Sequence, residues 1–152
     1  MADATKWRTP HSFIHALGTG KHDLSADTLK IVLLLSSSNF ETLAFDTYSE
    51  LTNEVATNYG YTQGTKTLAN VTWTNNDDGT VDLDADDVVW NASGGAITAR
   101  AAYIYNEDAP SDELVCYCIL DSTPADVTAD DGNPFTIAIH ATGIIRGTRA
   151  SA

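Results

Sequence analysis

Residues 97–105, ITARAAYIY, constrain the fold of this chain more than any other stretch. A run of β-branched and aromatic residues without glycine or proline reads as a strand. Ile97, Ala99, Ala101, Tyr103 and Tyr105 alternate with Thr98, Arg100, Ala102 and Ile104, which puts the two sets on opposite faces. The Arg100 end of the second set faces water and the Ile104 end does not. A strand that becomes apolar on both faces is covered on both, in the middle of a sandwich or at a subunit contact. Upstream, Val88, Val89 and Trp90 form a second run, separated by the breaker Asn91-Ala92-Ser93-Gly94-Gly95. This spacing predicts a core hairpin within residues 81–105, with nothing in it that resembles a reaction centre.

The remaining pattern is also β. Strands are expected over 28–35 (TLKIVLLL), 61–71 with Trp73, 80–83 after the turn Asn75-Asn76-Asp77-Asp78-Gly79, 114–120 (LVCYCIL), 135–140 and 143–146. Residues 40–55 read either as a loop packed by its own side chains or as one short helical turn, and 121–133 as an acidic loop. Pro10 followed by Phe13, Ile14 and Leu17 at helical spacing predicts a short helix, stopped by Gly18 and Gly20. The expected architecture is an all-β antiparallel sandwich, jelly-roll-like, spanning 21–146. A short N-terminal arm with a helix (1–20) precedes it and a loose tail (147–152) follows.

The chain has 152 residues, 21 Asp and Glu against 8 Lys and Arg, and a net charge of −13. Phosphate backbones are bound by clustered cations, so this balance argues against nucleic acid and suits a solubilising skin. No apolar run reaches the ~20 residues of a membrane helix, and the N-terminus lacks a charged-then-apolar leader pattern. Cys116 and Cys118, about 6.6 Å apart on one strand face, are badly placed to bridge each other and read as core residues of a protein made in a reducing cytoplasm.

Candidate chemistry is sparse. Asp82, Asp84 and Asp86 open like a calcium-binding loop, but Asp87 stands where glycine is needed and Ser93 where glutamate is needed. A looser calcium site would use Asp77, Asp78, Asp82 and Asp84, against the simpler reading of an exposed strand and its turn. His11 and His15 share a helix face without further ligands, and read as solvent-facing. No nucleophile elbow or phosphate loop is present. No enzyme and no cofactor are expected.

A resemblance enters through DTLKIVLL (27–34), Asn53-Glu54-Val55 with Gly60-Tyr61-Thr62, ADDVVW (85–90), ITAR (97–100), Tyr103-Ile104-Tyr105, Phe135-Thr136-Ile137 and ATGI (141–144). In order and spacing, over residues 23–146, these resemble small virion structural proteins of tailed bacteriophages, such as capsid decoration or cement proteins. The resemblance implies a non-enzymatic protein made in the host cytoplasm and bound to the outer surface of the capsid, with the major capsid protein as partner. A homotrimer over shell junctions is expected, through Trp7, Phe13 and Ile14 as capsid contacts and Phe40, Phe45, Tyr48 and Leu51 as contacts between copies. The alternative is a tail or fibre module that binds a receptor or carbohydrate through Tyr59, Tyr61 and Trp73.

Overall fold

A computed structural model describes residues 4–123 and 125–149. Helix α1 (Phe13–Gly18) forms where the apolar spacing placed it and buries Phe13 and Ala16. The strands are β1 (Leu29–Leu34), β2 (Thr72–Asn75), β3 (Thr80–Asp84), β4 (Val88–Asn91), β5 (Ile97–Ala99), β6 (Ala101–Asn106), β7 (Leu114–Ile119), β8 (Val127–Ala129), β9 (Pro134–Ile137) and β10 (Ile145–Thr148). All their pairings are antiparallel, in the orders β1-β6-β7, β10-β3-β2, β4-β9 and β5-β8. The fold is all-β and sandwich-like, divided into smaller sheets than the two large ones of a jelly roll.

The expected hairpin of residues 88–105 does not form. Strand β4 pairs instead with β9, setting Trp90 opposite Phe135. The breaker is tied elsewhere: Ala92 exchanges main-chain hydrogen bonds with Asn133 and Gly132, and the Gly94 N–H donates to Asp131 Oδ1 at 2.8 Å. It therefore carries the chain from one sheet to another instead of turning it back. Strand β8, which bonds β5, lies in the stretch expected to be loop. The run 97–105 is itself interrupted at Arg100, whose N–H donates to Leu34 O and whose carbonyl accepts from Leu120 N–H. That break shifts the alternation by one face. Ile97 and Ala99 join the same core cluster as Ala102 and Ile104, while Ala101, Tyr103 and Tyr105 fall in another.

Strand β6 is wholly buried, as its two-faced apolar pattern required. One face, with Ile31, Leu33 and Cys116, packs into the main core with Trp90, Ile97 and Phe135. The opposite face, with Val32, Leu34 and Tyr117, is roofed by Phe40, Leu43, Phe45, Tyr48 and Leu51 of the long excursion. Each large apolar side chain so buried contributes roughly 1.5–3 kcal/mol.

Both edges of this sheet are closed by the chain itself. Along β1, Val55 N–H and Ile31 N–H donate to Leu33 O and Lys66 O, each at 2.9 Å. Residues 61–71 thus serve as edge cover, with only the isolated bridges at Tyr61 and Thr67 where a strand was expected. Along β7, the N-terminal arm adds by a bridge from Arg8 to Tyr117. Strand β10 extends into the tail that was expected to be loose; Ala150–Ala152, Met1–Asp3 of the arm and Pro124 lie outside the described residues.

Candidate functional site

The three residues expected as capsid contacts, Trp7, Phe13 and Ile14, lie in the N-terminal arm and α1. Arg8 N–H donates to Tyr117 O at 2.7 Å, Tyr117 N–H returns to Arg8 O at 2.9 Å, and Thr5 N–H reaches Ile119 O at 2.8 Å. The arm is thereby an edge strand of the β1-β6-β7 sheet. Trp7 is half-buried against the main core. Phe13 is 2 % exposed, which removes it as a surface contact: the helical spacing was right, but it turns Phe13 inward. Ile14 stands 72 % exposed on the same helix. His11 and His15 are exposed as expected.

Between the arm and residues 138–146 lies a groove of about 1030 Å³, lined by the apolar Trp7, Ile144 and Ile145 together with Lys6, His140 and Arg146. Gly143 shapes its far wall. At φ 83 it takes a conformation that favours glycine, and a Cβ there would stand 2.5 Å from Leu83 O.

The excursion is spent within the chain. Phe40 is buried, and Phe45, Tyr48 and Leu51 are half-buried over the chain's own sheet, so the expected contacts between copies are largely internal packing. A capping box at Thr47 and Glu50 fixes the 3-10 turn Tyr48–Glu50. The Tyr48 ring stacks on Tyr105 at 4.4 Å between centroids. Its hydroxyl donates to Glu54, which also accepts from Tyr61 Oη at 2.6 Å and Gly64 N–H at 2.9 Å. Burial, then the Glu54 hydrogen bond, pushes the Tyr48 and Tyr61 hydroxyls well up, so both stay protonated donors. This is a pin that holds loop to sheet.

The aspartates of the candidate calcium site are engaged one by one. Asp82 accepts both Nε and Nη2 of Arg146 at 2.7 Å, and the Arg146 and Asn76 hydrogen bonds lower its carboxyl to about 2. Asp78 accepts from Thr80, Asp77 from Asn75, and Asp84 from its neighbour Ala85. Among the described residues no group of three or more His, Cys, Asp or Glu is placed to hold a metal ion, and no helix is long and apolar enough to cross a membrane. Cys116 and Cys118 are free and buried, and burial raises both thiols.

No family model, curated protein or solved structure matches this chain. Its chemistry must be read from its own side chains. Of the expected sugar platform, Tyr61 is core and Trp73 is half-buried, leaving Tyr59. The Tyr59 backbone sits at φ 52 and its ring lies on Gly95, where an added Cβ would meet it at 2.5 Å.

One polar cluster had no visible sequence signal, because its members come from two stretches, residues 21–27 and 106–113, far apart in the sequence. Asn106, at the end of β6, is fully buried. Its Oδ1 accepts the N–H groups of Asp108 and Ala109, so its Nδ2 must face Asp27 at 2.6 Å and His22 Nδ1 at 3.1 Å. The His22 ring is therefore an acceptor at Nδ1, the neutral tautomer. Burial lowers its pKa, against the opposing pull of Glu113 and Asp27. Glu113 is held below the usual range despite burial, through Ser111 N–H and Lys21 Nζ, the latter at 2.9 Å. The imidazole packs 5.7 Å from the Phe13 ring and so seats α1.

Proposed function

We propose that this chain is a non-enzymatic structural protein of a phage virion, a decoration protein bound to the outside of the head shell. The observation that carries the reading is the exposed Ile14 on a helix locked to a closed β body. A large apolar side chain held outward on a rigid support is suited to fill a pocket on a partner. The acidic skin fits a protein that must stay soluble at high local density. The likeness over residues 23–146 gives the reading its class. Weak single contacts add when several copies engage a symmetric surface, which favours a closed oligomer, most simply a trimer.

The test is co-sedimentation of the purified protein with undecorated heads. Binding of the wild type and its loss in Ile14→Asp are expected, with the melting temperature unchanged. Equal binding of the variant would remove the helix as the contact, and absence of wild-type binding would sink the shell role.

Tyr59 supports a second reading, a saccharide-binding module of a tail or fibre. It is 42 % exposed in a strained conformation, braced on Gly95 as a flat platform. Glycan-array binding that disappears in Tyr59→Ala would favour it, and a silent array would discard it.

A further inference from the structure

Tyr59 and Gly60 are the two central residues of a tight turn, closed by Asn58 N–H to Tyr61 O at 3.0 Å and Tyr61 N–H to Asn58 O at 2.9 Å. Both sit at positive φ, 52 and 89. Turns of this kind favour Asn-Gly, because a bulky side chain is strained in the left-handed region. Gly60 follows that preference and Tyr59 goes against it. The ring is nonetheless held in place. Its Cδ1 and Cε1 atoms rest against Gly95, where a Cβ would stand 2.5 Å away, and Tyr59 O accepts Ser93 N–H at 3.1 Å. So held, it remains 42 % exposed. An aromatic kept in a strained backbone, given room by a glycine and left facing water, is placed for something outside the core.

The surroundings narrow what that is. The turn and residues 91–95 are joined through Ser93, and Gly94 N–H donates to Asp131 at 2.8 Å, so one loop cluster presents Asn58, Asn91, Ser93 and Asp131, all exposed, beside the ring. Residues 58–60, 91–95 and 130–132 contain no Lys or Arg, and Lys66, which reaches β4, is committed to Val89 O at 2.6 Å. An aromatic face meets the C–H groups of a sugar ring, and amide, hydroxyl and carboxylate side chains meet its hydroxyls. An acidic sugar would find carboxylates there and no cation. We infer that the Tyr59 turn takes a neutral sugar, stacked on the exposed part of the ring, and that the fold accepts local strain to hold it. The inference rests on the saccharide reading of Tyr59 and narrows its ligand.

The probes are neutral disaccharides (cellobiose, lactose and chitobiose) and acidic ones (sialyllactose and a chondroitin disaccharide), titrated into the full-length protein while amide shifts are followed. At least one neutral sugar should move amides at residues 58–60, 93–95 and 131, and neither acidic sugar should. Its affinity should fall about tenfold in Tyr59→Asn, the upper range of one aromatic contact. The same variant restores the Asn-Gly pair that the turn favours, so its melting temperature should hold or rise. A lower melting temperature would make the ring a structural cap and overturn the inference. Acidic sugars bound at the turn, or shifts confined to other residues, would overturn it while leaving a saccharide role standing. No shift with any sugar would discard both.

Discussion

His22 carries the most specific consequence at the scale of single residues. Asn106 cannot rotate its amide without abandoning the N–H groups of Asp108 and Ala109, so a proton on His22 Nδ1 would set donor against donor at 3.1 Å. The folded pKa lies below the ordinary 6.5, chiefly through burial. The stability tied to the neutral ring is therefore complete above about pH 6.5 and is lost as pH falls through the lowered folded value. Glu113 has the same sign in a lower window, since its folded value is depressed below 4.5. Thermal melts between pH 7.5 and 5 should show a fall that is smaller in His22→Asn, which keeps an acceptor near Asn106 but cannot charge. Identical pH profiles for the two proteins would refute the tautomer assignment. Gly60 offers a second test. At φ 89, with a Cβ that would stand 2.1 Å from Asn91 O, Gly60→Ala should cost at least about 2 kcal/mol in a denaturant melt.

Among the elements, the arm has the clearest task, because it covers the edge of β7. Deleting residues 1–8 would bare the β7 main chain at Tyr117 and Ile119, and bared strand edges invite pairing between molecules. Light scattering should find the shortened protein associating with rising concentration while the intact chain does not change; equal behaviour would mean the arm protects nothing. Elements set by local pattern were legible in the sequence: α1, β1, β7 and the turn joining β2 to β3 all lie where periodicity and turn residues put them. Partners chosen over distance were not. The pairing of β4 with β9 rests on the meeting of Trp90 and Phe135, and the broken alternation at Arg100 rests on bonds to Leu34 and Leu120. The candidate site divides the same way. Ile14 was legible as apolar but its outward direction was not, and the groove exists only because the arm returns beside residues 138–146.

For the whole molecule, charge decides the behaviour that is easiest to measure. With a sequence pI of about 4.3 and a net charge of −13 at pH 7, solubility should pass through a minimum near pH 4.3. Added salt at pH 7 should raise the melting temperature modestly by screening self-repulsion, and a fall would mean that the paired charges outweigh the repelling ones. The trimer expected at a shell junction would appear as threefold molar mass in the same scattering measurements. The roof that residues 40–51 place over β6 also has a bearing on timing. Covering β6 within the chain means that this sheet is finished before any partner is met. Were the proposed shell role to hold, such a chain would wait as a finished free pool and be added late, as a rigid part whose coming and going follow concentration, leaving the larger object intact when it departs.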